Sequence, residues 1–196
     1  MRAALLFAAA YTVALFVYGH AVDSPLTNVY TGINLVMLAF FGVLDRWARF
    51  PSGVWWGIAL VGLGNMLGGV LLVDGEPLYM AQVLGPIRYD KVFHAAAAFV
   101  CLFVAWAAVQ RWAGDGRHFG GMLFITFLAT MGGGATVEIA ELIGASVSDV
   151  NVGDYANNAL DLVANAIGAA IGVGVVLVAT TRTVSTAEPT PPAAPG

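Results

Sequence analysis

Six stretches of this chain are apolar and long enough to cross a lipid bilayer, at about residues 2–20, 27–45, 54–73, 91–110, 119–142 and 157–180. A bilayer core takes roughly 20 apolar residues in helical form. Without water to satisfy peptide groups, segments of this length can cross only as helices. Composition agrees. Of 196 residues 59% are hydrophobic and 10% charged, with mean hydropathy +0.82, whereas soluble domains carry about 25% charged residues. The fold class expected is therefore all-α: an integral membrane bundle of six transmembrane helices over residues 1–182. A Pro-rich, disordered tail is expected over 183–196, because TAEPTPPAAPG holds too little apolar surface to pack.

Arg2 ahead of the first apolar run imitates a secretory signal. The run is long and five further spans follow it, so it reads as a retained helix. Arg2, Arg46, Arg49, Arg111, Arg117 and Arg182 fall at one end of the bundle, and only Arg88 and Lys91 at the other. The bias of basic residues in short loops places both termini in the cytoplasm. Nine of the twelve acidic residues sort to the opposite, outer side. No Lys/Arg cluster exists to hold nucleic acid. A single cysteine, Cys101, excludes an intrachain disulfide and reads as a small apolar residue. The connection DGEPLYMAQVLGPIRY carries an apolar piece between Pro77 and Pro86 that is too short to span. It reads either as an interfacial lid or re-entrant turn, or as an ordinary packed loop.

Ionisable residues then mark one place. On the fourth helix Asp90 and His94 share a face with the small residues Ala97, Ala98 and Cys101, which predicts close contact with another helix. On the fifth, Glu138 and Glu141 lie three residues apart, with Gly134 one turn below Glu138 in the soft segment MGGGATVEIAELIG. On the sixth, Asn157, Asp161, Asn165, Gly168 and Gly172 form a stripe that is polar at its outer end and ends in a GxxxG pair. Three helices thus bring Asp90, His94, Glu138, Glu141 and Asp161 to a similar depth. A charge at mid-membrane costs ~2.5–3.5 kcal/mol on insertion scales, so protons, a metal cation, or Arg88 and Lys91 must balance these acids. Two readings stay open: a functional site, or a structural network tying helix ends together. Asn34 and Asn65 read as helix-packing hydrogen bonds, and His20 and His118 as interfacial residues.

DKVFH, then E-x-x-E at a helix end, then D-x-x-x-N-x-x-G in the last helix, resembles the VanZ-like membrane proteins. It is also similar to the YjdF-type inner-membrane family, over roughly residues 85–175. Glu141 departs from the single glutamate usual in VanZ-type sequences. The resemblance implies a cell-envelope protein of the prokaryotic plasma membrane, and names no reaction.

On the residues themselves, three function classes compete. An enzyme or binder would act on a membrane lipid or lipid-linked envelope precursor. His94, Glu138 and Asp161 are its candidate catalytic residues: Glu138 or Asp161 as base, His94 as proton shuttle. Arg88 and Lys91 would hold a phosphate, with Asp90, Glu141 and Asn165 also candidate substrate contacts. His94, Glu138, Glu141 and Asp161 could bind a divalent metal ion, Mg²⁺, Mn²⁺ or Zn²⁺. The alternatives are a proton- or cation-coupled transporter using the same acids, and a non-catalytic structural or accessory protein. GASV at 144–147 imitates a rhomboid nucleophile motif, but no histidine follows it, and Ser146 is expected in a loop.

Overall fold

The computed structural model describes residues 1–113, 118–147 and 155–185, with only the backbone at 144–147 and 181–185. Six helices carry the described residues: α1 Arg2–Ala21, α2 Thr27–Ala48, α3 Ser52–Val70, α4 Tyr89–Ala113, α5 Phe119–Val147 and α6 Tyr155–Ser185. All six are long and apolar enough to cross a membrane. The last three run beyond the lengths read from hydropathy, because helical hydrogen bonding continues past the apolar core into polar ends. Residue 146, expected in a loop, therefore has helical backbone in α5. Helix α6 likewise continues through residues 183–185, the first three of the expected tail. The rest of that tail lies outside the described residues, as do the loop acids Asp149 and Asp154.

Two clusters form the interior. Tyr11, Phe41, Trp55, Ile58, Met66 and Val104 belong to one, built from α1–α3 and one face of α4. Leu102, Leu123, Ala169 and Val176 belong to the other, between α4, α5 and α6. Helix α4 is thus the shared wall, and its most extensive partner is α6. Large apolar side chains such as Leu6, Val36, Phe124 and Ile171 stay exposed on outer faces. On a water-soluble protein such patches would be a liability; around a bilayer-spanning bundle they are the lipid contact.

Small residues set the α4–α6 approach. A methyl group at Gly168 would run into the backbone carbonyl of Ala95, and one at Gly172 would meet the side chain of Leu102. The expected packing role of the GxxxG pair is what the structure shows. Ala95 and Leu102 form the α4 face that meets α6, whereas Cys101 packs on the α1–α3 cluster. Gly132 and Gly133 face open space, so two of the three consecutive glycines have no packing partner among the described residues. Gly134 is different: a side chain there would meet Asn165 Nδ2.

The α3–α4 connection is an ordered cap. Strands β1 Leu72–Val73 and β2 Glu76–Pro77 pair antiparallel, as do β3 Gln82–Leu84 and β4 Ile87–Arg88, with a 3-10 turn Leu78–Met80 between. Asp74 and Gly75 both take positive φ in the first turn, the pairing that two-residue hairpins demand. Tyr79 drives the cap down onto the bundle. Its hydroxyl donates to Asn65 Oδ1 at 2.8 Å, and its ring meets Tyr30, Tyr89 and Phe93. Gly68 and Gly69 have no side chain because the rings of Tyr79 and Tyr30 occupy that space. Of the two forms expected, this is the packed one, built as a double hairpin. Burial holds the Tyr79 hydroxyl well above its usual titration range, so it remains a donor to Asn65.

Asn34 bridges helices as expected, accepting from the Tyr11 hydroxyl at 3.1 Å and donating to Thr12 Oγ1 at 2.8 Å. His20 contacts Asn28 Oδ1 at 3.2 Å at an exposed helix end.

Candidate functional site

Asp90, Lys91 and His94 occupy the first two turns of α4, and Asp161 the second turn of α6. At 1.5 Å per residue Asp90 and Lys91 lie within the first turn, and His94 and Asp161 about 8–9 Å inside the helix ends. Glu138 reaches the same level from the far end of α5. The i, i+4 spacing of Asp90 and His94 puts both on one face, and His94 Nε2 lies 3.4 Å from Asp90 Oδ1. From the same nitrogen Asp161 Oδ1 stands at 3.7 Å. The other ring nitrogen, Nδ1, lies 3.5 Å from Glu138 Oε1. One imidazole thereby joins carboxylates from three helices.

Lys91 is a member of this group. Its ammonium donates to Asp161 Oδ1 at 2.6 Å, Asp90 Oδ2 at 2.9 Å and Asn157 Oδ1 at 2.8 Å. Lys91 lies about 100° around the helix from Asp90, an offset that by itself would leave it at the surface. Instead α6 packs close enough for a long, flexible side chain to turn inward. Lys91, Ala95, Ala98 and Leu102 recur at i, i+4, i+7 and i+11, and that heptad-like spacing is the signal that Lys91 heads the face toward α6. Asn157 was placed on the polar stripe but not in the site. It receives Lys91 and donates Nδ2 to Asp161 Oδ2 at 2.8 Å.

The remaining candidates separate. Asn165 is buried one turn further in, and its Nδ2 has no hydrogen-bond partner among the described residues. Glu141 is half-buried, and Arg88 is exposed on β4. Neither joins the group of potential metal-ligand atoms, which consists of Asp90, His94 and Asp161. Glu138 faces the imidazole from the side opposite that group.

Beside the polar group runs a groove of about 1030 Å³ between α4, α6 and the β3–β4 hairpin. Ala95, Leu160, Val163 and Ile167 line its apolar length, and Arg88, Lys91 and Asn157 its polar end.

A family described as "Predicted membrane protein (DUF2238)" matches residues 3–182, and the chain belongs to it. No curated protein and no solved structure matches the chain.

Proposed function

We propose that this DUF2238 membrane protein binds an anionic membrane lipid or lipid-linked envelope precursor, at the outer side of a prokaryotic plasma membrane. The observation that carries this reading is the groove: an apolar channel between two membrane-spanning helices, with two cations at one end. Tails of a lipid suit the surface of Ala95, Leu160, Val163 and Ile167. A phosphate headgroup suits Arg88, since charged donors bind phosphate oxygens strongly, while Lys91, whose three protons go to Asp90, Asn157 and Asp161, adds its charge. The side of the membrane follows from the arginine bias toward the other end of the bundle. The late acidic helix and DKVFH opening, which resemble those of VanZ-like and YjdF-type proteins, support the same cell-envelope setting.

Behind the headgroup position stand His94, Glu138 and Asp161, three groups able to move a proton. Intramembrane ionisable residues are functional candidates by default, because each is costly to keep.

The test is lipid retention in mild detergent, read by mass spectrometry. Wild type should retain an anionic or phosphate-linked lipid. Arg88→Ala and the groove-filling Leu160→Trp should each lower that retention several-fold at unchanged melting temperature. Equal retention of zwitterionic lipid by all three would sink the proposal. Turnover of the retained lipid, lost in a stable His94→Ala variant, separates an enzyme from a binder.

A further inference from the structure

The atoms behind the groove are arranged for a second ligand. Asp90 Oδ1, His94 Nε2 and Asp161 Oδ1 converge, with Nε2 3.4 and 3.7 Å from the two oxygens. Those separations are long for hydrogen bonds. They are close to the edge of a coordination shell, since tetrahedral ligands at ~2.0–2.1 Å from a metal stand about 3.3 Å apart. Each donor residue is also held from behind. His94 turns Nδ1 to Glu138, Asp161 receives Asn157 on Oδ2, and Asp90 receives Lys91 on Oδ2. A carboxylate behind a ligating imidazole is the usual means of fixing its tautomer and orientation.

An acidic cluster alone would not carry a metal site. The independent observation is Glu138, which is 6% exposed and receives no hydrogen bond on either oxygen among the described residues. A buried carboxylate is costly unless a neighbour donates to it, and the neighbour within reach is His94 Nδ1 at 3.5 Å. The group it faces is the His94 ring, whose Nδ1–H it would hold while Nε2 binds a cation. Charge allows it, for Asp90, Glu138 and Asp161, when all are ionised, bring three negative charges against one positive on Lys91. A divalent ion makes the group neutral.

We infer that Asp90, His94 and Asp161 bind a divalent transition-metal ion of the zinc or manganese class, with Glu138 supporting the imidazole. One nitrogen among carboxylate oxygens favours these ions over Mg²⁺ or Ca²⁺, which prefer oxygen alone. The ligand set differs from the one read in the sequence, because Asp90 takes the place of Glu138 and Glu141. Lys91 yields Asp161 Oδ1 to the metal and keeps Asp90 and Asn157. The inference rests on side-chain geometry and not on what fills the groove, so either can fail without the other.

The experiment uses the full chain in detergent, stripped with a chelator and titrated with Zn²⁺ alone by calorimetry, then with Co²⁺ as a spectroscopic probe. One equivalent of Zn²⁺ per chain is expected, with visible d–d absorption for Co²⁺ and a melting temperature that rises with Zn²⁺. Asp90→Asn and His94→Ala should lose the binding, and Glu138→Gln should weaken it by about 10–100-fold. Helical circular dichroism and a monodisperse elution peak check that each variant folds. Asp90→Asn, near the helix end, is the variant least disruptive to packing and keeps the test decisive if His94→Ala is unstable. Substoichiometric binding by wild type, or equal affinity in wild type and Asp90→Asn, would overturn the inference.

Discussion

Lys91 Nζ lies 2.6 Å from Asp161 Oδ1 and ties α4 to α6 through an ion pair whose acid is 1% exposed. Removing one partner of a buried pair costs about 3–5 kcal/mol, because the other charge is left without compensation. Lys91→Met should therefore lower the thermal midpoint in detergent markedly, and adding Asp161→Asn should restore part of it. An unchanged midpoint in the single variant means that the pair does not hold these helices.

His94 and Glu138 should behave as coupled residues. They approach to 3.5 Å and share one buried group, and contacting pairs show interaction energies of about 0.5–3 kcal/mol in double-mutant cycles. The cycle with His94→Ala and Glu138→Ala, read by unfolding in detergent, should be non-additive. The same non-additivity is expected in any function the site supports. Strictly additive losses would break up the single site.

Gly172→Leu should destabilise the protein by roughly 1–3 kcal/mol, since its side chain would have to displace Leu102. Gly133→Ala is the contrasting variant. With nothing within 4 Å of the added carbon, it should leave stability unchanged or raise it by up to ~1 kcal/mol through helix propensity. A similar response from both variants would mean that α6 does not dock on α4 through its glycines.

Tyr79→Phe removes the donor to Asn65 and should cost about 1 kcal/mol. The hydroxyl titrates well above 10.0 in the folded protein, so the folded state holds its proton more tightly than the unfolded chain. Its contribution is complete below pH ~10 and is lost as pH rises from there toward the folded value. Thermal midpoints of wild type should fall more steeply above pH ~10 than those of Tyr79→Phe. Parallel curves would remove Tyr79 from the account.

Topology is testable separately. A reporter placed in the Asp74–Gly75 turn should read external, and one at the N-terminus cytoplasmic. The reverse result would move the groove and its polar group to the cytoplasmic face.

Much of the architecture was legible in residue order, because a bilayer imposes a single strong rule: apolar runs of spanning length become helices. The same rule made Asp161 and Glu138 conspicuous, as acids in such runs must find partners inside the bundle, and both are buried there. Spacing along α6 identified the docking face of Gly168 and Gly172. The cap was partly legible, since Asp74-Gly75 is a hairpin signal, but the docking of Tyr79 on Asn65 was not. Packing between helices decided the rest. Whether Lys91 points to water or to Asp161 depends on where α6 lies. That position follows from the contact of Gly168 with the Ala95 carbonyl, which helical periodicity along one chain segment does not encode. In the same way, the convergence of Asp90, His94 and Asp161 belongs to the relative placement of two helices, and Glu138 finds His94 only because a third helix passes beside them.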